Sequence, residues 1–231
     1  EAKKEYKKVL SLDSKFSLAS LALADIYIRE GNFEDAKNIY QDLVNRFPDN
    51  LYARLRLGNS YINEKNYQKA TNTFKEAVAL APASIPAHMS LALSYELSGN
   101  GAESIKVYKK IIENAPEFPF AYNNLAWAYQ EEGNLDEALT LAKKADELAP
   151  EQAPTMDTLG WIYYKKGNIG EALKNIKQAS ELNPNDATIN YHLACVYHKQ
   201  SRNALTKTYL KKALKINPNL EEAKKLLEKL K

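Results

Sequence analysis

The 231-residue chain carries 32 Lys+Arg against 29 Asp+Glu, a formal net charge of +3, and 45% of its residues are hydrophobic. A balance this even gives no general pull towards nucleic acid or an anionic membrane, and the apolar fraction excludes global disorder. One cysteine, Cys195, rules out an intramolecular disulfide and cannot build a zinc site alone. No apolar run approaches the ~20 residues that span a bilayer, so direct membrane insertion is not expected. The opening Glu1-Ala2-Lys3-Lys4 has neither an initiator Met nor a basic-then-apolar leader, and reads as part of a longer chain.

Residues 1–16, with Ala2, Tyr6 and Val9, read as an amphipathic helix. From residue 17 the chain repeats itself. Prolines fall at Pro48, Pro82, Pro116, Pro150, Pro184 and Pro218, each 34 residues from the last. Leucine keeps the same step from Leu23 through Leu57, Leu91, Leu125 and Leu159 to Leu193, and tyrosine from Tyr27 through Tyr61, Tyr95, Tyr129 and Tyr163 to Tyr197. Leu and Tyr four apart share one face of a first helix. A break follows, as at Gly31-Asn32, Gly99-Asn100, Gly133-Asn134 and Gly167-Asn168, where glycine suits a residue of positive φ. Lys65 and Ser201 stand in its place elsewhere, at a modest expected cost. A second amphipathic helix, such as Leu135 to Leu148, then ends before the proline that cannot continue it.

Small residues at Ala24, Gly58, Ala92, Ala126, Gly160 and Ala194 on first helices predict close backbone approach, as do Ala36, Ala70, Ala138 and Ala172 on second ones. Ser104 and Thr206 break that pattern and predict looser contacts. The periods are 17–50, 51–84, 85–118, 119–152, 153–186 and 187–220, and residues 221–231 begin a further helix.

The pattern Leu-small-x-x-Tyr, then Gly, Ala and Pro at this period, resembles the tetratricopeptide repeat (TPR). The run Tyr122-Asn-Asn-Leu-Ala-Trp-Ala-Tyr129, continuing to Gly133 and Ala138, is close to that family's consensus. The resemblance implies an all-α, right-handed superhelical solenoid of helix-turn-helix repeats. Residues 1–16 would then be the second helix of a truncated preceding repeat, and 221–231 the start of a further or capping helix. It also implies a concave face, lined by first helices, where partners bind. Asn123-Asn124-Leu-Ala-Trp127, Asp157-Thr-Leu-Gly-Trp161 and Tyr191-His-Leu-Ala194 are similar, in addition, to repeat proteins of bacterial exopolysaccharide export or exosortase systems. That likeness would imply an envelope setting.

By register the inner face has two halves. Leu18, Leu21, Ile28, Leu55, Ile62, Met89, Leu93 and Leu97 form an apolar docking patch, of the size that marks an interface when left in water. A partner's amphipathic helix, preceding repeats of a longer chain or another copy of the chain could cover it. Phe120, Asn123, Asn124, Trp127, Asp157, Trp161, Tyr164, Tyr191 and His192 form an aromatic and polar half suited to an extended peptide: amides bond its backbone, and rings take its side chains. Packing of Trp127 and Trp161 against neighbouring helices is the alternative. A sugar face held by Trp127, Trp161 and Tyr164 is a third reading.

The inner positions at which relatives clamp a chaperone tail's carboxylate with Lys, Asn and Arg carry Leu55, Asn59, Ser90, Phe120 and Asn124, of which Asn59 alone fits. Inner-face charge is mixed, and basic residues do not alternate with aromatics, so no nucleic-acid partner is expected. Lys207, Lys211, Lys212 and Lys215 read as a solvated outer helix face. His192, Cys195 and His198 lie at helical steps of three, yet the two histidines diverge around the helix, and ordinary inner-face roles account for them better than a metal. No catalytic constellation or phosphate loop is found, and no cofactor is expected. The sequence therefore points to a non-catalytic protein–protein interaction scaffold that binds a peptide or helical segment in its groove. Self-assembly into a structural scaffold, or glycan contact in a polysaccharide export system, is the alternative.

Overall fold

A computed structural model of the chain describes residues 1–13 and 16–230. The described residues form fourteen α-helices and no strand. Six first helices span 13 residues each: α2 Ser17–Arg29, α4 Leu51–Asn63, α6 Ile85–Leu97, α8 Pro119–Glu131, α10 Ala153–Lys165 and α12 Ala187–Lys199. They alternate with six second helices of 14 residues: α3 Phe33–Arg46, α5 Tyr67–Leu80, α7 Gly101–Asn114, α9 Leu135–Leu148, α11 Ile169–Leu182 and α13 Asn203–Ile216. Helices α1 (Ala2–Leu12) and α14 (Glu221–Glu228) flank them. The expected segments 1–16 and 221–231 include Ser14, Lys15 and Lys231, which lie outside the described residues. No helix among the described residues is long and apolar enough to cross a membrane.

Turn chemistry sets this regularity. Asn32, Asn66, Asn100, Asn134, Asn168 and Arg202 each donate a backbone N–H to the carbonyl of the periodic tyrosine five residues earlier, at 2.8–2.9 Å. Such a bond needs a left-handed residue just before the donor. Gly31, Gly99, Gly133 and Gly167 supply it with φ between 78° and 84°. Lys65 and Ser201 take φ 58° at the same point despite their Cβ atoms, at a cost on the order of 1 kcal/mol each. Glu151 is a third left-handed side chain, with φ 60°, in a turn whose sequence gives no sign of it. Several first helices are capped by side chains: Asn50 accepts from Ala53 N–H at 2.9 Å, and Asp186 from Thr188 and Ile189 N–H at 2.8 and 3.0 Å.

Small residues then let the helices close. A Cβ on Gly58 would lie 2.3 Å from the Phe74 ring, and one on Gly160 would lie 2.5 Å from Ile176 Cγ1. Ser104 and Thr206 are completely buried, so the looser contacts expected of them do not occur. Their hydroxyls donate into their own helices, to the carbonyls of Gly101 at 2.8 Å and Arg202 at 3.1 Å, and leave no polar group at the interface.

By packing, the chain divides into two units, Glu1–Val107 and Tyr108–Lys231. In the first, successive helices from α1 to α6 pack together and α4 also touches α6. Its core clusters are Ala24, Ala36, Tyr40 and Leu57, and Ala70, Phe74 and Leu91. In the second, successive helices from α8 to α14 pack in turn, and first helices α8, α10 and α12 lie side by side. Its largest cluster joins Met156, Ile176, Ile189, Leu193, Val196 and Tyr197 with small residues of α11.

Candidate functional site

In the second unit, Asp157 and Trp161 lie four apart on α10, as do Asn123 and Trp127 on α8, so each pair shares a helix face. The adjacent α12 contributes His192. Its Nδ1 stands 3.0 and 2.9 Å from the two carboxylate oxygens of Asp157, and both residues are buried. A carboxylate accepts, so Nδ1 carries the proton and donates it to Asp157.

That bond fixes the imidazole in a stack. The His192 ring lies 3.9 Å from the Trp161 ring at 14°, and 6.1 Å from the Trp127 ring at 28°. Tyr164, one turn on from Trp161, stacks on it at 4.8 Å and 9°. Lys165 Nζ sits 5.4 Å from the Trp161 ring, a cation against its face. Tyr191 meets both Trp161 and His192 at a tilt. The site is thus a row of flat rings whose orientation is set by one buried charged hydrogen bond.

Six of the nine residues expected in the aromatic half keep some exposure: Phe120 is exposed, while Asn124, Trp127, Trp161, Tyr164 and Tyr191 are half-buried. Asn123, Asp157 and His192 are buried beneath them. Asn124 donates to Tyr108 Oη at 3.4 Å, and Asn123 to Asn124 Oδ1 at 3.3 Å. Sequence reasoning missed that Asp157 accepts a hydrogen bond from His192. The partners are 35 residues apart and meet only because α10 and α12 touch. One period forward from Asp157 lies Tyr191, so the repeat register falls one residue short of the true partner.

Beyond Tyr164 the row reaches a cavity of about 320 Å³, lined by Tyr164, Tyr191, Cys195 and His198 on one side and by Glu222 and Lys225 of α14 on another. Burial pushes the Cys195 thiol up to about 11, with a hydrogen bond to Tyr191 opposing. The thiol is therefore protonated at neutral pH and a poor nucleophile. Burial also raises the Tyr191 and Tyr164 hydroxyls. His198, by contrast, is exposed, and no group of three or more His, Cys, Asp or Glu comes together as a metal cradle among the described residues.

The apolar half lies in the first unit. Leu18, Leu93 and Leu97 are exposed. Leu21 and Ile28 pack on the Ala24–Tyr40–Leu57 cluster, Leu55 and Ile62 pack on Ala70, Phe74 and Leu91, and Met89 is half-buried. All five of these flank positions are half-buried and keep part of their surface in water. Polar groups stand among them. Tyr40 Oη donates to Asp25 at 3.1 Å, and Arg56 Nε donates to Tyr52 Oη at 2.9 Å with its guanidinium over the Tyr52 ring.

Family models described as tetratricopeptide repeat match residues 1–57, 28–94, 107–140 and 187–220, and one described as TPR repeat matches 160–201. No protein of curated function matches the sequence. Among solved structures, a tetratricopeptide repeat protein from Parabacteroides merdae superposes with a TM-score of 0.86 at 18% identity, covering 99% of this chain and 90% of its own. A thermophilic TPR protein of Thermus thermophilus gives 0.69 at 24% identity, covering 78% of this chain and 98% of its own. YrrB, described as a TPR protein with an unusual peptide-binding site, gives 0.53 at 16%, covering 82% and 97%.

Proposed function

Because this chain belongs to the tetratricopeptide-repeat family, a family of protein-interaction scaffolds, we propose that the ring row of the second unit is its docking groove for an extended peptide. The observation that carries this reading is the Asp157–His192 bond. It spends a buried carboxylate on holding an imidazole flat between two indoles, an arrangement that preorganises a recognition surface and that helix packing alone does not require. Peptide side chains would lie against the half-exposed edges of Trp127, Trp161 and Tyr164. No catalytic step is assigned to the site.

A glycan is the weaker ligand for these rings. Sugars need an open aromatic face, and Trp161 already carries His192, Tyr164 and Lys165. The exopolysaccharide setting therefore draws no support from this geometry. Self-association is favoured by a separate observation, the exposure of Leu12 at 82%, Leu18 at 66% and Phe33 at 55% in the first unit. Light scattering over a concentration series tests it, and a constant monomer mass would remove it.

The peptide reading is tested by panning a displayed peptide library on the wild-type protein and on a Trp127→Ala/Trp161→Ala variant. Both tryptophans of the chain lie in this row, so titrating selected peptides into wild type should shift the intrinsic emission directly. Peptides that leave the emission unchanged and bind the variant equally well would refute the groove.

A further inference from the structure

We propose a second docking surface on the second unit, away from the ring row: a groove between α7 and α9 that takes a basic segment carrying a large aliphatic side chain. Its volume is about 610 Å³. Ile112 of α7 and Leu141 of α9 form the walls, with Leu125 and Tyr129 of α8 as the floor. Aliphatic side chains recur at the wall positions, as Val44, Val78 and Leu214 for Ile112 and as Ile39 and Val107 for Leu141, so the acidic rim and not the walls sets this groove apart. Both Ile112 and Leu141 keep part of their surface in water.

The rim names the partner's charge. Glu113 and Glu137 are exposed on opposite walls. Glu113 lies in the last turn of α7, where the negative end of the helix adds to its field. Asp136, also on the rim, is bridged to Lys166, and the one cation of the lining, Lys109, is drawn over the Tyr129 ring at 5.5 Å. An apolar slot between two projecting carboxylates fits Leu or Ile flanked by Lys or Arg. The chain's net charge of +3 makes indiscriminate attraction of a basic peptide unfavourable, so capture would report this local rim.

The test uses the full chain at low salt and three fluorescein-labelled hexapeptides followed by anisotropy: Lys-Lys-Leu-Lys-Lys-Leu, its Glu-for-Lys counterpart and its Ser-for-Leu counterpart. The basic leucine peptide should bind at least tenfold more tightly than either other. Glu113→Lys/Glu137→Lys, two exposed substitutions that leave the melting temperature in place, should weaken it tenfold or more, and so should Leu141→Ser. Should Leu141→Ser fail to fold, the charge-reversal pair still decides. Equal binding of the acidic peptide, or undiminished binding by the charge-reversed variant, overturns the proposal. So does a wild-type dimer in sedimentation that the same variant dissolves, because the occupant would then be a second copy.

Discussion

The two units share one backbone and differ in what their inner faces are made to do. In Glu1–Val107 the face is a surface of half-packed aliphatic residues, with Leu18, Leu93 and Leu97 in water and Arg56 resting on Tyr52. In Tyr108–Lys231 the same helical positions carry a ring row locked from beneath by Asp157 and His192. The turns, the tyrosine carbonyl bonds and the alanine seams are alike in both. Repeat geometry therefore fixes where a side chain points, and buried polar pairing decides whether the resulting surface has one shape or several.

The sharpest way to break that contrast is His192→Ala. It removes a stacked ring and leaves the Asp157 carboxylate buried without its donor, which should cost about 3–5 kcal/mol. Urea unfolding read by tryptophan emission reports the second unit directly. A loss under about 1 kcal/mol would show that the pair does not lock the row.

Gly58→Leu and Gly160→Leu test the shared part. Each drives a side chain into a buried neighbour, Phe74 or Ile176, and should cost about 1–3 kcal/mol whichever unit it falls in. Unequal losses would mean that the seams are not equivalent.

Alkaline pH separates the units by titration. The folded Cys195 thiol keeps its proton to about pH 11, whereas an ordinary thiol loses it near 9. Its contribution is fully present below pH 9 and is lost as the pH rises from 9 to 11, by no more than about 3 kcal/mol. Cys195→Ser should flatten that part of the stability–pH curve in the second unit, and an unchanged slope would count against the buried thiol as its cause.

Tyr40→Phe removes the hydrogen bond to Asp25 and should cost only ~1 kcal/mol, since Asp25 is half-buried and water can replace the hydroxyl. Leu93→Asp should change stability by less than about 0.5 kcal/mol, because the side chain is exposed. A larger drop in thermal melting would mean that this leucine is covered in solution.

Much of the fold could be read from the chain because its signals are local. A glycine before Asn32, a tyrosine five residues back and a proline after the second helix act within one turn, and their spacing reports the helices directly. Glu151 shows the limit: nothing in a glutamate announces φ 60°. The site was legible in residue type and in face, but not in partnership. Trp127 and Trp161 sit where the register puts them, yet the bond that orients their row joins α10 to α12, and helical periodicity within one helix carries no record of it. Leu21, Ile28, Leu55 and Ile62 likewise pack on core residues of neighbouring helices while staying half-buried, a division that periodicity within one helix does not record.

An imidazole held 3.9 Å from an indole is also a built-in magnetic probe. Ring currents from Trp161, and to a lesser degree from Trp127, displace the carbon-bound protons of His192 away from those of the exposed His198. The chain has three histidines in all, so these signals can be followed one by one in an unlabelled sample. Any guest that tilts an indole by a few degrees, or slides one ring past another, changes the shielding at His192 before it changes the mass or the melting point. The ring row thus carries its own record of occupancy.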